Sequence, residues 1–113
     1  MRFNAAMSIP TAPARPVFAV LYTYTQDTAT RDEVRPAHRA FLADLLERGT
    51  LLASGPWAPA EGRDDGALLV VTAPDETAVA ALLDEDPFRK AGVVAERELR
   101  AWVQVMGPWA PQG

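Results

Sequence analysis

A chain of 113 residues, 49% of them hydrophobic and 23% charged, can bury the core of one domain and is too apolar to be disordered. Its formal net charge of −4 at pH 7 and its lack of any basic run argue against a nucleic-acid-binding protein, because phosphate contacts need a concentrated basic surface. With no cysteine and one histidine, the chain cannot form disulfides or thiolate sites and offers too few ligands for a structural zinc ion.

The N-terminal sequence shows no targeting segment. No stretch approaches the length of about 18 apolar residues that a membrane-spanning helix needs. The first 16 residues also lack the basic and then apolar regions of a signal peptide, so we expect a cytoplasmic protein that does not contact membranes. Prolines among small residues predict a flexible Pro/Ala-rich arm over 1–16, before a domain over 17–106 and a Pro-rich tail over 107–113.

The first two predicted elements are a buried strand and a helix that carries the only histidine. The β-branched and aromatic run over 17–24 predicts a central strand. A capping-box pattern at 30–33 could start a helix, but Pro36 suits only a first helical turn, which favours a helix over 36–48. On this interpretation His38 lies in the first turn, where the amide dipoles favour the neutral imidazole.

The remaining elements complete a pattern that is typical of one fold class. Strands are predicted over 51–54, 67–72 and 95–105, and a second helix runs from Pro74 to a break at Asp86. The order β-α-β-β-α-β indicates an α+β, ferredoxin-like fold, in which four antiparallel strands carry two helices on one face. Apolar residues on the other face still need burial, so we expect a homodimer that pairs through the sheet face.

His38 is the first candidate for chemistry. It shares an apolar stripe with Phe41, Leu42 and Leu45 of the predicted helix, which puts its imidazole at the edge of the core. An imidazole titrates near neutral pH, so a half-buried one can act as an acid or a base. The alternative is a histidine that only packs at the core edge and bonds to the backbone.

One internal repeat stands outside the fold pattern. The sequence GPWAP occurs at 55–59 and again at 107–111, at the predicted matching ends of the second and fourth strands. Either the two copies share a role in covering strand ends or a partner chain, or they coincide by chance in a chain with 10 prolines.

Five short motifs follow one another in a specific order. They are RPAH at 35–38, LLASGP at 51–56, DGALLV at 65–70, DPF at 86–88 with AGV at 91–93, and ELRAW at 98–102. Together they resemble the YciI-like, or YCII-related, family. The resemblance implies a ferredoxin-like dimer, often described as a dimeric α/β barrel, and an active site built around a His and an Asp that correspond to His38 and Asp86. A relative dehydrochlorinates a chlorinated hydroxyquinol, which implies proton abstraction and elimination on small cyclic substrates.

The residues themselves allow the same chemistry. Because Asp86 precedes a proline, its backbone is pushed to an extended conformation that ends the helix and can aim the carboxylate inward. A carboxylate that bonds one imidazole nitrogen orients the ring and supports proton uptake at the other nitrogen. Asp86 would then orient His38, which would accept the proton. The alternative is a helix-terminating Asp-Pro turn without a catalytic role.

Six further residues are candidates for contact with a substrate in a cleft beside this pair. They are Ser54 and Gly55 for a substrate oxygen, Arg35 and Arg39 for an anionic group, and Trp57 and Phe88 for the apolar walls. The serine could instead be an ordinary strand-end hydroxyl, and the arginines could be solvated surface charges.

The sequence thus predicts a cofactor-independent acid/base enzyme of the lyase, isomerase, cyclase or dehydrochlorinase type that acts on a small cyclic or aromatic metabolite. No cofactor or metal is expected, and the chain has neither a Gly-rich phosphate-binding loop nor a Rossmann fingerprint. Two alternatives stay open. One is a cofactor-free monooxygenase-like protein on the same architecture, and the other is a non-catalytic dimer that binds a small ligand or serves an accessory role.

Overall fold

A four-stranded antiparallel sheet forms the centre of the protein. The computed structural model describes residues 15–110, so most of the predicted arm and the last three residues of the predicted tail lie outside the described residues. The elements are β1 (Val17–Tyr24), α1 (Thr28–Glu47), β2 (Leu51–Pro56), β3 (Gly66–Thr72), α2 (Glu76–Leu83), α3 (Pro87–Lys90) and β4 (Val94–Ala101). The strand order is β2-β3-β1-β4 with every neighbouring pair antiparallel, which confirms the α+β, ferredoxin-like prediction.

Strict alternation along β1 separates the two faces of the sheet. Every second residue is buried and the residues between them are half-buried, as the period of two in a strand requires. The buried side chains of β1 and β3 that face the helices are Phe18, Val20, Tyr22, Tyr24, Ala67, Leu69 and Val71. Residues of the three helices pack against these strand residues and complete the core; the main ones are Leu45, Val79, Leu83 and Phe88.

Helix α1 begins eight residues earlier than predicted. Asp27 caps it, since the carboxylate accepts hydrogen bonds from the Thr30 amide at 3.0 Å and from the Thr30 hydroxyl at 2.7 Å. Pro36 lies inside the helix on its exposed side, where it removes one backbone donor without ending the helix. The prediction that His38 lies in the first turn is therefore wrong. His38 sits near the middle of α1, beyond the reach of the N-terminal amide dipoles.

The other boundaries differ from the prediction by a few residues. Helix α2 starts at Glu76 instead of Pro74, because Asp75 caps it by accepting the Ala78 amide at 2.8 Å. Strand β4 ends at Ala101 instead of continuing to 105. Its last hydrogen bond joins the Trp102 amide to the Val17 carbonyl, and β1 offers no residue beyond that point to pair with. Within residues 15–110, no helix is long and apolar enough to cross a membrane.

The sheet face away from the helices is largely apolar. On this face Ala19 and Leu21 of β1 lie opposite Val70 and Leu68 of β3. Charged residues of β4 border the patch on one side, with Glu98 beside Leu21. This face carries no helix within the described residues. The predicted dimer would bury it, and that pairing stays a prediction here.

Candidate functional site

The candidate site begins with a carboxylate at the start of α3. Asp86 has the extended backbone that its following proline favours, with φ −61° and ψ 126°, and it caps α3. Its side chain is 0% exposed. Oδ1 accepts the Phe88 amide at 2.9 Å and bonds His38 Nδ1 at 2.8 Å, while Oδ2 accepts the Tyr22 hydroxyl at 3.0 Å. Three donors thus compensate the buried charge.

The bond to Asp86 determines the orientation of the histidine. An ionised carboxylate only accepts, so Nδ1 of His38 carries the proton that it donates, and the neutral ring keeps its lone pair on Nε2. The ring stacks on Phe88 with 3.8 Å between centroids and an angle of 6° between planes. Residue His38 is 7% exposed, and that small exposed part lines a cavity. The imidazole is therefore fixed on one side and accessible on the other.

Two tyrosines of β1 lie close to the same carboxylate and stay protonated. Burial, reinforced by the negative charge of Asp86, raises the pKa of Tyr22 well above its ordinary value. Burial, with a smaller contribution from the negative charge of Asp86, raises the pKa of Tyr24 to about 12, although Arg31 and Arg35 act in the opposite direction. Both phenols are consequently hydrogen-bond donors over the whole neutral range.

A cavity of about 550 Å³ opens beside the pair. All six residues that were predicted to contact substrate line it, together with His38. Asp86 does not reach the cavity and lies behind the histidine, where it can only act through the imidazole. Phe88 contributes in a second way that was not predicted, because its ring supports the plane of the imidazole. Whether these residues bind a substrate stays a prediction.

Four residues of this site were not predicted from the sequence as site residues, namely Tyr22, Tyr24, Arg31 and Asp65. Alternation along β1 was the available signal for the tyrosines, since a phenol that points into a core needs a buried partner. A helix start at 28 would also have revealed Arg31. It precedes His38 by seven residues and Arg35 by four, so all three share one helix face.

The two copies of the GPWAP repeat lie in different environments. The first copy overlaps the end of β2, and four of its residues line the cavity. The second copy begins six positions after the end of β4. The prediction that the two copies lie at matching ends of β2 and β4 is therefore wrong. There the Trp109 amide bonds the side chain of Gln104. Within residues 15–110, no group of three His, Cys, Asp or Glu side chains lies together as a metal site would require.

Comparisons with known proteins agree with this architecture. The YCII-related domain matches residues 17–103, whereas no curated protein matches the chain. One similar solved structure is the 5-chloro-2-hydroxyhydroquinone dehydrochlorinase TftG from Burkholderia phenoliruptrix AC1100 in complex with 2,5-dihydroxybenzoquinone. Its TM-score is 0.66 at 24% identity, over 76% of this chain and 92% of that one. Another is a mutant of SnoaB, a cofactor-independent oxygenase from Streptomyces nogalater, with a TM-score of 0.48 at 18% identity, over 78% and 92%.

Proposed function

Since the chain belongs to the YCII-related family, we propose that it is a cofactor-independent acid/base enzyme that acts on a small cyclic or aromatic metabolite. One observation carries the proposal. The Nδ1 of the only histidine is 2.8 Å from a fully buried carboxylate, and the same ring borders a cavity of about 550 Å³. A volume of this size accommodates a small ring compound. The pairing fixes the tautomer that a general base needs.

In the proposed reaction, Nε2 of His38 takes a proton from an acidic C–H or O–H of the bound ring. After loss of a C–H proton, the electron pair left behind forms a C=C bond and expels a leaving group, such as chloride, from the neighbouring carbon. After loss of an O–H proton it forms a C=O bond, the adjacent C=C bond shifts, and the leaving group departs from the carbon at the far end of that conjugated system. Asp86 stabilises the imidazolium that forms, and the proton then passes to solvent. The dehydrochlorination named for TftG is a reaction of this kind, which supports elimination as the reaction type.

The remaining cavity residues would bind and orient the ring. Trp57 forms an apolar wall, and the Ser54 hydroxyl with the adjacent Gly55 backbone can bind a ring oxygen. Arg35 and Arg39 add positive charge at the rim. We also propose that two copies of the chain pair through the apolar sheet face, because no helix packs on that face within the described residues and Ala19, Leu21 and Leu68 there are only half-buried.

The first experiment is to record ¹⁵N NMR spectra of the imidazole, whose signals need no assignment because the chain has one histidine. We expect the neutral ring to be protonated at Nδ1 in the wild type, and Asp86→Asn to produce a mixture of tautomers. Asp44→Asn is the matched control, since Asp44 pairs with Arg48 on the exposed side of α1. A wild-type ring protonated at Nε2 would contradict the assignment of the base.

The second experiment measures substrate turnover and so tests the proposed enzymatic function directly. Chlorinated hydroxyquinols and related cyclic compounds would be incubated with the protein, and chloride release and exchange of ring protons with deuterated solvent would be followed. General-base catalysis of this type contributes about 100- to 10,000-fold, so His38→Gln should lower an observed rate by at least about 100-fold. A His38→Gln variant that keeps the wild-type rate, or a protein that binds these compounds without turning any over, would favour the non-catalytic binding dimer.

A further inference from the structure

One buried side chain in the cavity wall has no role in the proposed proton transfer. The side chain of Arg31 is only 9% exposed, although it carries a permanent charge. Its Nη2 donates to Asp65 Oδ2 at 2.8 Å, but its Nη1 is buried and has no hydrogen-bond partner among residues 15–110. A buried donor without an acceptor costs free energy, and a charged one costs more, so this nitrogen calls for an explanation.

The surroundings of Arg31 hold it in place and leave it incompletely neutralised. The guanidinium carbon lies 5.0 Å from the centre of the Tyr24 ring, so a buried aromatic side chain supports the group. Its carboxylate partner, Asp65, is 53% exposed, which weakens the pairing through solvent screening. The pair therefore satisfies one nitrogen of the guanidinium fork and leaves the other without an acceptor among the described residues.

The charges around the cavity favour the same kind of acceptor. Three arginines line the cavity, and Asp65 is the only carboxylate among the lining residues. Arg35 pairs outward with Asp32 at 2.8 Å, and Arg39 is exposed, so both lie in better solvated positions than Arg31. Cation charge in a partly enclosed cavity attracts anions, and a desolvated guanidinium does so most strongly.

We propose that Arg31 is a specificity-determining residue that binds an anionic oxygen of the ligand. The cavity would then select rings that bear a carboxylate or an ionised hydroxyl. This proposal rests on the proposed function of the cavity. The ligand oxygen supplies the acceptor that Nη1 lacks, after a small rotation of the side chain brings that nitrogen to the cavity surface. A guanidinium N–H bonds an anionic oxygen about twice as strongly as a neutral carbonyl oxygen, because the hydrogen bond is then charge-assisted on both sides. Neutral rings of the same shape should consequently bind less tightly.

The test compares two ligands of equal shape and different charge, 2-naphthoate and 2-naphthamide, by isothermal titration calorimetry. We expect the wild type to prefer the naphthoate, and Arg31→Gln to weaken naphthoate binding at least tenfold while changing naphthamide binding less than twofold. A second pair, 4-nitrophenolate and 4-nitroanisole, asks whether an ionised hydroxyl is accepted as a carboxylate is. Arg48→Gln is the control, because Arg48 follows the last residue of α1 and pairs with Asp44 outside the cavity.

Three results would overturn the proposal. They are a wild type without preference for the anions, an Arg31→Gln variant with unchanged preference, and an equal loss of affinity for both members of a pair. Should Arg31→Gln fail to fold, Arg31→Lys replaces it. Its single ammonium cannot serve Asp65 and a ligand from two nitrogens, so at least a threefold selective loss is expected. Repeating the titrations in a His38→Gln background separates the two proposals, because anion selectivity should persist there even if no reaction exists.

Discussion

At the scale of single residues, the site depends on the complete set of donors around Asp86. A buried carboxylate is costly unless its lone pairs are used, and here a backbone amide, an imidazole and a phenol use them. Each donor comes from a different element, namely α3, α1 and β1. The carboxylate therefore links the imidazole of His38 to the core of the fold. Removal of any one donor should measurably lower the free energy of unfolding.

The first prediction concerns the phenol of Tyr22. Tyr22→Phe removes the hydrogen bond to Asp86 Oδ2 and leaves that oxygen buried without its donor. We expect the free energy of unfolding in urea to fall by about 1–3 kcal/mol. Tyr24→Phe is the matched control on the same strand face, since no described residue accepts its hydroxyl, and it should cost clearly less. Equal losses in the two variants would show that Asp86 does not need this donor.

The second prediction concerns alkaline pH. Burial raises the pKa of Tyr24 to about 12 in the folded protein, against an ordinary value of 10.0. The folded state therefore keeps a proton that the unfolded state loses, so the stability from this group is present below pH 10 and is lost as the pH rises from 10 through 12. Absorbance at 295 nm should show no tyrosine ionisation near pH 10 while the protein stays folded. A folded protein with a tyrosine titrating near pH 10 would contradict this prediction.

At the scale of elements, β3 passes β1 and the cavity wall too closely for a side chain at Gly66. A Cβ there would collide with the Tyr22 carbonyl oxygen and lie 3.1 Å from the Trp57 indole. The same glycine accepts the Trp57 amide at 3.0 Å, which holds the loop after β2 over the cavity. The position of the cavity wall thus depends on Gly66, although a glycine has no side chain that would suggest a role in binding or catalysis.

Alanine substitutions at two glycines test this close approach. Gly66→Ala must displace either β1 or the Trp57 wall, and we expect it to lower the free energy of unfolding by about 2–3 kcal/mol. Gly55→Ala is the control in the adjacent strand, because its added methyl would meet nothing within 4 Å. Thermal and urea unfolding of both variants measure the difference. If the Gly66→Ala protein is as stable as the control, β1 or the Trp57 wall can move away from β3 at little cost, and the close approach does not limit stability.

The elements also show which parts of the structure the sequence could reveal. Periodicity located every strand and both main helices, because strands and helices of this length bury one face and repeat their apolar residues accordingly. The start of α1 was not predictable from Pro36, since the preference of proline for a first turn is local and the cap at Asp27 outweighs it. That error hid Arg31, whose relation to His38 depends on the earlier turns of α1.

In the candidate site, too, some residues could be identified from the sequence and others could not. His38 and Asp86 could be found because one is the only histidine and the other precedes a proline in a family motif. Alternation along β1 could place Tyr22 in the core but could not identify its partner, because the hydrogen bond to Asp86 spans 64 positions and forms only once β1 and α3 have met. Long-range contacts of this kind leave no periodic trace in the sequence.

At the scale of the whole molecule, the apolar sheet face that carries no helix is the surface that the single chain explains least. Leu21 in the central strand is only half-buried, and its neighbours across the register are Leu68 and Glu98. An apolar patch at the centre of a sheet is expensive to leave in water, and a second sheet would cover it. The charged border from β4 would then lie at the rim of such an interface, where charges are tolerated.

Molar mass in solution tests this pairing. We expect light scattering to give about twice the chain mass of 12.2 kDa for the wild type. Leu21→Glu places a charge in the middle of the patch and should shift the protein towards the monomer. Leu46→Glu is the control, because Leu46 is equally apolar but exposed on α1. A monomeric wild type, or a Leu21→Glu variant that is folded and still dimeric, would exclude this face as the interface.

The double role of Asp86 has a consequence for how the protein can change over evolutionary time. The same carboxylate caps α3 and orients His38, so a lineage cannot discard it without also weakening its fold. His38 is under a weaker constraint, since two of the three donors to Asp86 remain when it is replaced and the cap of α3 is kept. If the proposed acid/base role is no longer selected, we expect the histidine to be lost first and the aspartate to be kept. A relative with the Asp-Pro-Phe motif but without the histidine would then keep the fold and lack the proposed base.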